Sequence, residues 1–148
     1  MDIITAKTTI IEALQDAIDN IEDAKEKILV EQPVSIENYK LSHPKGSLLI
    51  IYRGSTFEDT QSENSIIQNR NIEIGVIAVI RASYTGKTVE DWVQFLIDTV
   101  SGLWIKEDYK QIYVSDDEFI KEENGVWWYA VTVRVPTRYM THKDFNQS

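Results

Sequence analysis

The fragment of this chain with the most to offer chemistry is Y-T-G-K-T, Tyr84 to Thr88, because it follows a β-prone run and opens a helix. That is where backbone N–H groups and a lysine can cradle phosphate. A phosphate loop also needs a glycine five residues before Gly86, and that position is Arg81. The fragment therefore reads as a turn. His43 and His142 are the only histidines, too few for most metal sites and not at helical spacing from a second ligand. His43, before Pro44, reads as a turn residue. Asp116, Asp117, Glu118, Glu122 and Glu123 suggest a carboxylate site for Ca²⁺, yet they lack the glycine and alternating spacing of a calcium loop and flank a hairpin. No nucleophile has a recognisable base or oxyanion motif near it. The expectation is a protein that is not an enzyme, with no catalytic, cofactor or metal residues.

Length and charge narrow the classes further. The 148 residues make one domain, able to bury roughly 70% of its unfolded surface. No apolar run approaches the roughly 18 residues of a membrane span. The start, M-D-I-I-T-A-K, lacks the pattern of a signal peptide. With no cysteine there is neither a disulfide framework nor a thiolate metal cage, as expected of a product made in a cytoplasm. Fifteen basic against twenty-four acidic residues give a net charge of −9, which disfavours a sequence-reading DNA binder. The acid concentrates in Asp2–Glu31 and Glu107–Glu123. Beyond Gly125 the charges are Arg134, Arg138 and Lys143 against Asp144 alone.

The organising element is the run Asn71 to Ala82. Ile72, Ile74, Val76, Ala78, Ile80 and Ala82 alternate onto one face, and Glu73, Gly75, Ile77, Val79 and Arg81 onto the other. The second face has an apolar middle between charged ends, so something should cover it. Before this strand, apolar spacing of three and four from Ile10 to Ile28 predicts a helix over about Thr8 to Val30, capped by Thr8 or Thr9 and closed by Pro33. Val34 to Leu41 suggests a short strand, and His43 to Gly46 a turn into a buried strand over Ser47 to Arg53. The polar stretch Gly54 to Asn69 reads as a long loop, functional or disordered. After the strand, T-V-E-D at Thr88 predicts a helix start with an apolar stripe through Val89, Trp92, Val93, Leu96, Val100 and Leu103.

Lys110 to Ser115 suggests a strand, and Glu118 to Glu122 should pair with Val126 to Pro136 across Asn124-Gly125, the turn most favoured for a hairpin. Setting Glu123 opposite Val126 places Lys121 opposite Trp128, Phe119 opposite Ala130 and Ile120 opposite Tyr129. Trp127, Tyr129, Val131, Val133 and Val135 would then face the core. The fold class that results is α+β: a mostly antiparallel sheet of four to five strands with two helices packed on one face. Ile77, Val79, Phe119 and Trp128 would form an apolar group on the opposite face that a monomer should not expose. With Lys121 and Arg134 beside them, these six residues are the candidate interface. A neighbouring subunit would cover the group; the other option is the long loop folding over it.

Three segments together carry a resemblance. They are H-P-K-G-S-L-L-I-I-Y-R-G-S from His43, Q-N-R at Gln68 to Arg70, and D-E-F-I-K-E-E-N-G-V-W-W-Y-A-V-T-V from Asp117. In this order, with a helix either side of the middle strand, they resemble the tail terminator family of Mu-like contractile bacteriophages and prophages, over nearly the whole chain. The resemblance implies a virion protein forming a ring, usually a hexamer, at the head-proximal end of the tail. Such a ring stops polymerisation of tube and sheath proteins, presents a surface to the neck or connector, and lets DNA pass without sequence-specific binding. The Gly54 to Asn69 loop and the tail from about residue 137 to 148 depart from the family pattern. A neck or head completion protein and a small nucleotide-handling enzyme are the alternative classes.

Overall fold

The computed structural model describes residues 1–22, 27–82, 86–106 and 110–143. Residues Asp23 and Ala24 of the expected first helix, Tyr84 and Thr85 of the glycine-lysine fragment, Glu107, and Asp144 lie outside them.

The fold is α+β. Among the described residues nine elements follow one another: α1 (Ile3–Asp19), β1 (Leu29–Glu31), β2 (Gly46–Phe57), β3 (Ile66–Arg81), α2 (Val89–Val100), β4 (Trp104–Ile105), β5 (Lys110–Gln111), β6 (Tyr113–Glu123) and β7 (Val126–Thr141). Five strands form one sheet in the order β1-β2-β3-β7-β6, antiparallel except for the parallel β1–β2 pair, and β4 pairs with β5 in a small second sheet. The run read as the organising strand is the middle of this sheet. Period two sends Ile72, Ile74, Val76, Ala78 and Ile80 into the main core with Val131, Val133 and Val135 of β7. Ala6, Ile10, Leu14 and Ile18 of α1 and Trp92, Val93, Leu96 and Val100 of α2 close that core from above. Both helices therefore lie on one face of the sheet.

The first helix starts and stops earlier than apolar spacing suggests. Asp2 is its N-cap, accepting from the Thr5 N–H at 2.7 Å, and Asn20 ends it. Ile28 continues the three-and-four spacing for another reason: it is buried in the core at the approach to β1. Val34 to Leu41 is irregular rather than a strand. The supposed long loop is mostly sheet, since β2 runs on to Phe57 and β3 begins at Ile66, leaving only 58–65 as connection. Likewise β7 continues past Pro136 to Thr141, so much of the expected tail is strand.

Local chemistry explains the punctuation. Thr88 caps α2 in a reciprocal box: its hydroxyl accepts from the Asp91 N–H, and the Asp91 carboxylate accepts from the Thr88 N–H. The Thr88 backbone N–H, and then the Thr88 side chain, hold the Asp91 carboxyl below its ordinary value. At the hairpin, Asn124 and Gly125 both take positive φ, 53° and 81°, as a two-residue turn matching strand twist requires. Glu123, Glu122 and Lys121 pair with Val126, Trp127 and Trp128 as the turn predicts. Then Ile120 bulges out, Phe119 meets Tyr129 instead of Ala130, and the residues from Phe119 back to Asp116 change face, until a second bulge at Ser115 restores the original alternation.

Candidate functional site

The six residues expected to form one exposed group are divided by the structure. Trp128, Ile77 and Val79 do share the face away from the helices, with Leu49 and Ala130, but they are only 6%, 5% and 0% exposed. The irregular segment after β1 covers them: Ile36, Tyr39 and Leu41 pack on this second core, and the Tyr39 ring meets Trp128 edge-on at 6.0 Å between centroids. Neither a neighbouring subunit nor the 58–65 connection is the cover. The segment is fixed by polar contacts beneath it. The Tyr39 hydroxyl and the Ser47 hydroxyl both donate to the Glu31 carboxylate, the latter at 2.6 Å. Burial first, and then the hydrogen bond to Glu31, push the Tyr39 phenol up to about 12.

Lys121 lies over the Trp128 ring at 4.5 Å, a cation on an aromatic face, and closes the edge of the same cluster. Arg134 sits further along this face, 3.3 Å from Glu73, and its guanidinium is held further above its ordinary value by Tyr113, then by Glu73. Phe119 is on the opposite face. The Ile120 bulge carries it to Trp127 and Tyr129, at 5.9 and 5.5 Å between ring centroids, beside the helix layer. Trp127 packs against the helix-side core as expected but is only partly buried, whereas Trp128, expected at an interface, is buried within the chain.

The residues that suggested chemistry are engaged structurally. His43 Nδ1 accepts from the N–H groups of Lys45 and Gly46, at 3.0 and 3.2 Å, and so holds the turn into β2. The position a phosphate would take at the N-terminus of α2 is filled by the chain's own Asp91 carboxylate, and Lys87 lies over the rings of Trp92 and Phe95. The acids of β6 alternate: Asp116 and Glu118 point to the Arg134 side, Asp117 and Glu122 to the helix side. No group of three or more His, Asp or Glu is placed to hold a metal ion among the described residues. No helix among them is long and apolar enough to cross a membrane.

What sequence reasoning missed is the far end of the sheet. There β2, β3 and β7 run on beyond both covering layers. β1 pairs β2 only at Ser47–Leu49, and β6 stops pairing β7 at Arg134. The extension carries Phe57 (50% exposed), Ile66, Tyr139 and Met140 (62% exposed), with Tyr52 at its near boundary. Phe57 meets Tyr139 edge-on at 6.1 Å, and the Arg70 guanidinium lies over Phe57 at 5.1 Å. Arg70 Nε also donates to the Ser55 hydroxyl, which bonds the Tyr52 phenol at 2.8 Å. Ser55 and then Arg70 pull that phenol below its ordinary value. A signal was present in the sequence: T-R-Y-M-T keeps strand-favouring residues at period two after Pro136.

No curated protein matches the chain. A family model described as Gp37 protein matches residues 20–148, which takes in all seven strands and α2 and leaves out α1. On that match across most of its length, the chain belongs to the Gp37 protein family and is a bacteriophage protein.

Proposed function

We propose that this protein is the tail terminator of its phage, a ring, hexameric by resemblance, that caps the finished tail. It would halt growth of tube and sheath and offer the head-proximal surface on which the neck or connector docks. In this reading it is made in the host cytoplasm and resides in the virion. Membership of a phage family and the resemblance to terminators of Mu-like phages support it. The observation that carries it is the bare end of the sheet. Apolar side chains this exposed, on strands with open edges, are what a subunit leaves for its neighbours. The −9 charge suits a wall past which DNA must slide without being held. No catalytic step belongs to the proposal.

Electron microscopy of tails made without the protein tests it. Tails of uncontrolled, often excessive length are expected. Tails of normal length that fail to join heads would instead assign the neck or head completion role.

A further inference from the structure

We infer that copies of this chain join head to tail at the far end of the sheet, the free end of β7 in one copy lying along the free end of β2 in the next. This rests on the ring proposed above and names the surfaces that build it.

The two open edges lie on opposite sides of the same three strands. Beyond Phe57 the connection stays hydrogen-bonded to β3, with Glu58 N–H and Gln61 N–H donating to the carbonyls of Asn69 and Ile67 at 2.9 and 2.8 Å. Across β3, Asn69 pairs with Arg138 and Ile67 with Met140. Glu58 and Arg138 therefore stand at one level, with β3 between them. Residues 56–61 present one strip and residues 138–141 the other, and no strand is hydrogen-bonded to the outer side of either among the described residues. An edge on each side of one sheet is a heterologous pair, which generates a closed ring when the rotation between copies closes.

Charge says which edge meets which. The β2 side ends in Glu58, Asp59 and Glu63 with no base between residues 56 and 65. The β7 side ends in Arg138, His142 and Lys143 with no acid between residues 137 and 143. Glu63 and Asp59 are presented by a connection tied to itself, with the Thr60 hydroxyl accepting from the N–H groups of Ser62 and Ile67. Arg138 and Lys143 pair with no acid among the described residues. Because β2 and β7 are both antiparallel to β3, they run the same way, toward the far end. Copies related by rotation about an axis along the strands would thus join by a short parallel ladder. Glu58 and Asp59 of one copy would face Arg138 and Lys143 of the other, and Phe57 would approach Tyr139 and Met140. The other edge strand, β6, is unsuited to self-pairing, since it carries five acids against Lys121 and bulges at Ser115 and Ile120.

Charge exchange on the full-length protein tests this, read by sedimentation. The wild type should sediment as a closed oligomer. Glu58→Lys alone and Arg138→Glu alone should be monomeric, with melting and circular dichroism of a folded protein. An equimolar mixture of the two variants, and the double variant, should recover the oligomer, because each restores an opposite-charge contact. Amide exchange of residues 138–141 should slow on assembly. Single variants that assemble like the wild type, a mixture and double variant that stay monomeric, or unchanged exchange in the assembled protein would each overturn the inference. A wild type that is monomeric at every soluble concentration would overturn it too, leaving a different partner on this surface. Tail length in phage carrying Arg138→Glu separates the two proposals. Rings through another surface with controlled tail length refute only this contact, whereas lost rings with controlled length refute the terminator reading.

Discussion

The near and far halves of the sheet are built from the same three strands and differ in everything that touches them. Near the hairpin, β3 is covered on one face by two helices and on the other by Ile36, Tyr39 and Leu41, and both edges are closed by β1 and β6. At the far end the described residues supply neither a second layer nor an edge strand, and aromatic residues stand half in water. The lesson is that strand chemistry alone does not decide burial. Val79 and Ile67 are both aliphatic β3 residues on the face away from the helices, yet only Val79 is enclosed, because only it has a segment folded over it. The near half should therefore carry stability and the far half assembly.

The largest effect should come from Trp128→Ala. Removing an aromatic from a closed cluster costs about 3–5 kcal/mol, a large share of the roughly 5–15 kcal/mol that holds a domain of this size. Thermal unfolding should show a protein that is unfolded or melts far below the wild type. Trp127→Ala, at a partly buried site, should cost clearly less; a reversed order would mean that residues 36–41 do not cover the sheet.

Gly46→Ala follows. A Cβ there would sit 2.7 Å from the Val79 carbonyl oxygen and 2.8 Å from Ile80 Cδ1, and a backbone oxygen in a central strand has nowhere to retreat. About 2 kcal/mol of destabilisation is expected by denaturant titration, in the range of an overpacked core.

Tyr39 ties the covering segment to Glu31, and its raised phenol gives the near half a pH dependence. The neutral form is favoured by folding, so its contribution is complete below about 10, the ordinary phenol value, and is lost as pH rises through about 12. Tyr39→Phe should lose about 1.5 kcal/mol at neutral pH, the value of a hydrogen bond to a charged group, and should flatten stability between pH 10 and 12. Melting across that window checks both. Thr88→Ala, which opens the cap of α2, should cost about 1 kcal/mol.

How much of this was legible follows the same division. Period two in Asn71–Ala82 and the Asn124-Gly125 turn gave the sheet, the core face and the hairpin register as far as Lys121, since turn geometry fixes pairing locally. The bulge at Ile120 was not readable, because nothing in D-E-F-I-K-E-E marks one residue as extra, and it alone moved Phe119 to the other face. The cover over Trp128 was invisible for a related reason: S-I-E-N-Y-K-L has no period, and its hold on the sheet is a long-range contact through Glu31, Tyr39 and Ser47. The far end was misread because polar composition in G-S-T-F-E-D-T suggested a loop, while exposed strands need not be apolar.

The smallest effect on folding, and the sharpest contrast, should come from Met140→Ser. Met140 is 62% exposed at the free end of β7, so its loss removes little packing and should change the stability of a single chain by no more than about 0.5 kcal/mol. Melting must be compared in the Arg138→Glu background, because an oligomer gains stability with concentration and would confuse the two effects. In the otherwise wild-type chain the same substitution should weaken assembly about tenfold, the typical weight of a side chain that a partner buries. Trp104→Ser is the control: equally exposed at 61%, but on β4, outside the three-stranded end, it should leave both folding and assembly unchanged. If Trp104→Ser disrupts the oligomer and Met140→Ser does not, the small second sheet is the interface and the far end of the main sheet is merely exposed.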